Sequence, residues 1–391
     1  MFASKLPEVG TTIFTQMSQL ALEHGAVNLG QGFPDFLPDA ELMQRVAEAM
    51  AQGHNQYAPM AGVPALRQAI AAKMTALYAR SYDPDTEVTV TSGATQALMA
   101  AILACAGAGD EVVILEPAYD AYVPAIQLAG ATPVRVPMLE PDATFAGYRP
   151  DWSRVQAAVT DRTRAIIVNF PHNPTGAILA ESDLDALEDI VRDRPIVLIS
   201  DEVYEHIVFD GKRHLSLASR PALADRTFVI SSAGKTLHTT GWKIGWCCAP
   251  AALSSELRKV HQFMVFSVST PMQHAIAAHM ADPHAHDGLA AFYQERRDYL
   301  VRGLAQTALT PLPCPGTFFL LANYQRLSAA PQDEFVRWLT VQHGVTAIPV
   351  SAFYGASSGA ELEQPRIVRL CFAKQRETLD EAVRRLEAIR I

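Results

Sequence analysis

Residues 195–206 read PIVLISDEVYEH, with a short apolar run, Ile196-Val197-Leu198-Ile199, stopping abruptly at Ser200-Asp201-Glu202. A run of this length, rich in β-branched residues, is a strand buried on both faces rather than a helix. The pattern repeats at EVTVTSG (87–93), EVVILEP (111–117), RAIIVNF (164–170) and TFVISS (227–232). Helical patterns lie between, from Ala94, near Tyr119 and from Glu181. Such alternation predicts an α/β fold with a mainly parallel central sheet flanked by helices. Ligands in such sheets bind at the carboxyl ends of the strands. The polar segments TSGAT (91–95), NFPHNPTG (169–176), SDEVYEH (200–206) and SSAGK (231–235) all begin there, so they are expected to converge on one cleft.

Further along, the character changes. Helical patterns at 254–280 and 288–308, strands at 317–321 and 366–372 and a last helix from Glu377 predict a smaller α+β domain. The boundary is expected near 285, where Asp282-Pro283-His284 and Asp287-Gly288 interrupt the helical reading. The expected division is 1–45 as an arm and part of the small domain, 46–285 as the large domain, and 286–391 as the small one. A chain of 391 residues, 49% hydrophobic and 19% charged, has ample material for two such cores.

The charge balance, 32 Lys+Arg against 41 Asp+Glu, is scattered and leaves no basic block for nucleic acid or anionic lipid. MFASKLPEVG has no secretory apolar core, and the strongest apolar run, 98–106, is far short of a membrane span. A cytoplasmic protein with small-molecule partners is the expectation. The five cysteines, at 105, 247, 248, 314 and 371, lack the spacing of a zinc site or a disulfide framework and read as buried thiols.

Ser231-Ser232-Ala233-Gly234-Lys235-Thr236 resembles a nucleotide P-loop, but Val229 stands where that motif needs its first glycine. A desolvated lysine at a strand end suits imine formation with an aldehyde cofactor instead, and Lys235 fits. Read alone, Lys235 would be a surface residue; its neighbours decide otherwise. Asp201, closing its strand, could face a ring nitrogen that must stay protonated, or it could merely cap a helix. Tyr204 and Asn173 could reach a ring oxygen, although Pro171-His172-Asn173-Pro174-Thr175-Gly176 could also be an ordinary turn. The strand-to-helix junction at Ser92-Gly93-Ala94-Thr95 offers the amides of Ala94 and Thr95 to a phosphate, with Ser232 and Lys243 adding a hydroxyl and a charge. Tyr119 could stack on a pyridine ring or belong to the core. A strand carrying an inward guanidinium, Pro365-Arg366-Ile367-Val368-Arg369-Leu370, could clamp an α-carboxylate, and alternation alone does not separate Arg366 from Arg369. Cys247-Cys248 and the histidines at 284 and 286 are discounted as metal ligands.

Together, Asn173-Pro174-x-Gly176, Asp201-x-x-Tyr204, Ser232-x-x-Lys235 and Gly241-Trp242-Lys243-x-Gly245 resemble the class I aminotransferases of the type I pyridoxal-phosphate fold. Asn28-Leu29-Gly30-Gln31-Gly32-Phe33-Pro34-Asp35-Phe36 and Asn55-Gln56-Tyr57 are similar to the bacterial methionine and the kynurenine/glutamine aminotransferases. The resemblance implies pyridoxal 5′-phosphate as cofactor, Lys235 as Schiff-base lysine and proton shuttle, Asp201 on the ring nitrogen, and Tyr204 and Asn173 on the ring oxygen. It implies that Asn173, Arg369 and the Gly32 backbone hold the substrate carboxylate. It further implies a homodimer with shared sites, in which Tyr57 reaches the partner's phosphate and Phe266 the partner's pocket. Phe14, Tyr119 and Phe266 suggest an apolar or aromatic pocket for methionine, phenylalanine or tyrosine. No second arginine suits a side-chain carboxylate, and Ser267 stands where kynurenine-preferring relatives tend to have histidine. The alternatives are a kynurenine/glutamine aminotransferase, a cysteine-conjugate β-lyase on the same site and, remotely, a pyridoxal-phosphate-binding regulator.

Overall fold

The computed structural model describes residues 3–282, 284–355 and 365–389. Pro283, used above to place the boundary, lies outside them. The strands are β1 (Val27–Asn28), β2 (Val88–Thr91), β3 (Glu111–Glu116), β4 (Thr132–Pro137), β5 (Thr163–Asn169), β6 (Val197–Asp201), β7 (Thr227–Ser232), β8 (Gly245–Cys248), β9 (Thr310–Pro311), β10 (Phe319–Asn323), β11 (Val345–Thr346), β12 (Ile348–Pro349) and β13 (Ile367–Cys371). A seven-stranded sheet runs β2-β8-β7-β6-β5-β3-β4. Every neighbouring pair in it is parallel except the two made by β8. Helices pack on both faces, over the fully buried Val112-Val113-Ile114 and Ile166-Ile167-Val168 runs.

β8 went unread in the sequence because GWCC is short and sits in a glycine-rich stretch. Its glycine is required: a Cβ on Gly245 would lie 2.7 Å from the amide nitrogen of Ala94. The helical pattern at 254–280 divides into Ala251–Met264 and Thr270–Met280. Pro271, in the first turn of the second helix, cannot continue a helix from before it, and Phe266 in the gap takes φ +67°. The strand expected at 317–321 starts two residues late, because Thr317 adopts φ +65° and leaves extended backbone.

β13 pairs with both β10 and β12, and β1 lies parallel to β11, so the early segment 27–29 packs with the late one. One core cluster accordingly joins Met17 and Leu29 to Phe319, Leu339 and Leu370. All five cysteines are free; Cys105 is half-buried and the others buried. Among the described residues, no helix is long and apolar enough to cross a membrane.

The turn after β6 is anchored from beneath by two buried acids. Glu202 accepts from the Ser200 hydroxyl, the Leu217 amide and His214. Glu205 accepts from Lys73, Tyr78 and Ser231. Burial alone would raise the Glu205 carboxyl, but the Lys73 ammonium and the Ser231 hydroxyl hold it well below its ordinary value. A depressed folded-state pKa contributes stability above the unfolded value, lost as pH falls through the folded one. Replacing Lys73 with methionine strands the buried carboxylate and should cost about 3–5 kcal/mol in urea unfolding at pH 7. The deficit should shrink as pH falls below about 4.3, where unfolded glutamate takes up protons; no deficit at pH 7 would show that the pair anchors nothing.

Candidate active site

Parallel pairing puts the last residues of β5, β6 and β7 at one edge of the sheet. Asn169 is in register with Asp201, and its side-chain amide donates to the Asp201 carbonyl at 2.9 Å, while its Oδ1 accepts from the Asn173 amide. A cavity of about 270 Å³ opens there. Phe14, Gly32, Ala94, Thr95, Tyr119, Asn173, Asp201, Tyr204, Ser232, Lys235, Lys243 and Arg369, all singled out from the sequence, line it.

Lys235 sits in the short helix Ala233–Thr236 directly after β7. Its Nζ donates to the Gly32 carbonyl at 3.3 Å and lies 5.2 Å and 5.6 Å from the Phe318 and Tyr204 ring centroids. Burial lowers the Lys235 ammonium to about 8, and the Arg369 charge acts in the same direction. The amine is therefore neutral far more often near pH 7 than an exposed lysine's.

At the cavity floor Asp201 is 4% exposed. Tyr122 donates to its Oδ2 at 2.7 Å, whereas Oδ1 is buried without a partner. Burial pushes the carboxyl up to about 6, and the Tyr122 hydroxyl and the Val203 backbone amide oppose that rise. A buried carboxylate oxygen without a partner, on a residue that lines a cavity, is the feature a cationic N–H donor would satisfy.

One wall is built for an anion. The helix Gly93–Cys105 points its amino terminus into the cavity, and Gly93 has φ +73°, a conformation that favours glycine. A Cβ there would meet the Lys243 amine at 3.1 Å, so the glycine also lets that cation lie against the helix end. The Ser232 hydroxyl oxygen accepts from the Gly234 amide, which leaves its proton free to donate.

Arg369 resolves the ambiguity with Arg366. It is 1% exposed on β13, whereas Arg366 is half-buried and bonds the Ala329 carbonyl. Arg369 donates to Asn173 Oδ1 at 2.8 Å and to the Gly30 carbonyl at 3.1 Å, and its Nε has no partner. Phe319, Phe353 and Phe14 surround the guanidinium, with ring centroids at 3.8, 5.0 and 5.2 Å. Burial lowers its pKa to about 10, still charged at neutrality.

Tyr57 and Phe266 are not among the residues lining this cavity. They form an edge-to-face pair on the surface, 82% and 46% exposed, with centroids 5.3 Å apart. Ser267 donates to the Ala58 carbonyl, tying their two segments together. Phe319 supplies the aromatic wall instead. Sequence reasoning also missed Asn169, Asp120 and Tyr122. Asn169 ends an obvious strand, and Tyr122 is one helical turn beyond Tyr119, so both were findable by spacing; Asp120 carried no signal.

With no aldehyde bound, labelling of Lys235 by a small aldehyde and a hydride donor should rise with pH around a midpoint near 8, read by mass spectrometry of the modified peptide. A midpoint above 10, as for an exposed lysine, would contradict the desolvated setting.

The family profile described as "Aminotransferase class I and II" matches residues 24–386. The methionine aminotransferase of Escherichia coli K12 is 48% identical over 99% of this chain and 98% of its own length. The solved N-succinyldiaminopimelate aminotransferase of Mycobacterium tuberculosis superimposes with a TM-score of 0.94 at 43% identity, covering 100% of each chain. Mouse kynurenine–oxoglutarate transaminase 3 is 35% identical over 97% of this chain and 88% of its own.

Proposed function

Because this chain belongs to the class I and II aminotransferases, we propose that it moves amino groups from methionine and other apolar or aromatic amino acids to 2-oxo acids, with pyridoxal phosphate as cofactor. The observation that carries the reading is Lys235, half-buried and lining one cavity together with Asp201 and Arg369. The residues present fit the cofactor. The bare Asp201 Oδ1 suits a protonated ring nitrogen, and the helix end at Gly93 with Ser232 and Lys243 suits a phosphate. Tyr119 is the stacking residue, and Tyr204 and Asn173 serve the ring oxygen.

When bound, pyridoxal phosphate supplies a conjugated electron sink beside the α-carbon of the amino acid. Arg369 holds the α-carboxylate: two of its five N–H groups are committed to Asn173 and Gly30, and the bare Nε is part of the fork that remains. Lys235 Nζ would be the group that accepts the α-proton and releases it again within the same cavity. A pKa near 8 lets the same amine accept and release that proton close to neutral pH. The Gly32 carbonyl steers the amine toward the carboxylate end of the cavity.

The aromatic wall of Phe14, Tyr119 and Phe319 supports an apolar side chain, and methionine sulfur adds favourable contact with aromatic edges. The cationic lining residues described, Lys235, Lys243 and Arg369, each have a task in this scheme, so a side-chain carboxylate finds no partner. This supports methionine over the multiply carboxylated substrate named for the mycobacterial relative. The exposed Tyr57–Phe266 pair supports a homodimer in which each subunit lends these rings to the site of the other.

Lys235→Ala should keep its thermal unfolding transition yet lose steady-state transamination of methionine by at least about a thousandfold. Retained turnover would remove the lysine from the chemistry. Arg369→Leu should raise the methionine KM about a hundredfold or more, since a charge-assisted fork to the carboxylate is lost; an unchanged KM would assign the carboxylate elsewhere.

A further inference from the structure

Lys374 is a buried cation that the scheme above leaves without a task. It lies between β13 and the helix Arg376–Glu387 and is 4% exposed. Among the described residues no carboxylate pairs with it. Its ammonium donates to the Phe33 carbonyl at 2.9 Å and lies 5.3 Å from the centroid of the Phe33 ring. A buried ammonium without a counter-ion is a costly way to fill space, so what it holds matters. Phe33 belongs to the segment 30–35, whose Gly32 lines the cavity. Two carbonyls of that segment serve the site: Gly30 accepts from Arg369 and Gly32 from Lys235. The segment is tied at both ends. Asn28 Oδ1 accepts from the Gly30 and Gln31 amides at 2.9 and 3.1 Å. The Asp35 carboxylate accepts from the Gln375 amide at 2.6 Å and the Thr378 hydroxyl at 2.7 Å. In between, the segment presses on the aromatic wall, since a Cβ on Gly32 would lie 2.8 Å from Phe319 Cζ, and that ring is the one 3.8 Å from the Arg369 guanidinium.

We propose that Lys374 is a positioning residue for substrate binding: by gripping the Phe33 carbonyl it fixes the segment 30–35, so that the Gly30 carbonyl keeps the Arg369 guanidinium in the orientation that receives a substrate carboxylate. The inference rests on the aminotransferase reading and deepens it by naming a residue outside the cavity that sets substrate affinity. Two lysines hold adjacent carbonyls of one segment, and their tasks differ. Lys235 must leave the Gly32 carbonyl when its amine reacts. Lys374 is not among the residues lining the cavity and keeps its hold throughout. Arg369 grips the carboxylate equally before and during the chemical step, so loosening the segment weakens binding without slowing the step.

The test compares wild type with Lys374→Met, which keeps the volume and removes the charge. In the full chain without cofactor, amide hydrogen exchange of a peptide spanning 29–37, read by mass spectrometry, should be at least about tenfold faster in the variant, while peptides from β5, β6 and β7 exchange as in wild type. In the holoenzyme the methionine KM should rise about tenfold with kcat changed by less than about threefold. Exchange unmoved in the 29–37 peptide overturns the proposal. So does faster exchange spread over the whole sheet, or a fall in kcat with KM unmoved, since either would make Lys374 an ordinary structural residue. Should Lys374→Met fail to fold, Asp35→Ala decides, because Asp35 is an exposed member of the same attachment. Its 29–37 peptide should exchange about fivefold faster and its methionine KM should rise about as much, as for one lost hydrogen bond, and no change in either overturns the proposal. A wild type that transaminates no amino acid would be a failure of the aminotransferase reading; the exchange measurement, which needs neither cofactor nor substrate, tells the two failures apart.

Discussion

Asp201 keeps one carboxylate oxygen on the Tyr122 phenol and the other bare inside the protein. An unsatisfied buried acceptor typically costs about 1–3 kcal/mol, so it persists only where the surroundings hold it. Here the holding is layered. Asn169 fixes the Asp201 carbonyl, Glu202 and Glu205 pin the turn that follows, and Lys73, His214, Tyr78, Ser200 and Ser231 satisfy those two acids. Glu202 and Glu205 have their partners, whereas Oδ1 of the cavity-lining Asp201 has none.

The same economy of partners recurs at Arg369. Asn173 and Gly30 take two of its donors and three phenylalanine rings enclose it, yet its Nε has no partner, and the residue lines the cavity that Lys235 also lines. Asp201 and Arg369 are thus two incomplete groups, of opposite charge, lining one cavity with a lysine whose amine burial has made easy to deprotonate. Strand topology brings them together: β6 and β7 are parallel neighbours in the seven-stranded sheet, and β13 comes from a separate four-stranded one.

How much of this was legible in the sequence follows from which interactions are local. Short apolar runs ending in polar segments announce parallel strands, because such strands are buried on both faces and must become polar where they stop. Lys235, Asp201 and Asn173 could be singled out as candidates for that reason. β8 could not, since four residues of GWCC carry little pattern and its place between β2 and β7 is a long-range pairing. The choice between Arg366 and Arg369 needed the register of β13 against β10 and β12. Asp120 was silent because its meaning lies in what it faces. Tyr57 and Phe266 were assigned through resemblance, and a single chain leaves them at the surface, outside its own cavity.

If Lys235, Asp201 and Arg369 form one site for amino-group transfer through pyridoxal phosphate, the visible absorbance of the holoenzyme must respond to methionine and then to a 2-oxo acid. A visible band should move to shorter wavelength as methionine gives up its amino group and return when the oxo acid takes that group away. A protein showing no such band after incubation with pyridoxal phosphate, or a band that methionine leaves unchanged, would contradict that assignment.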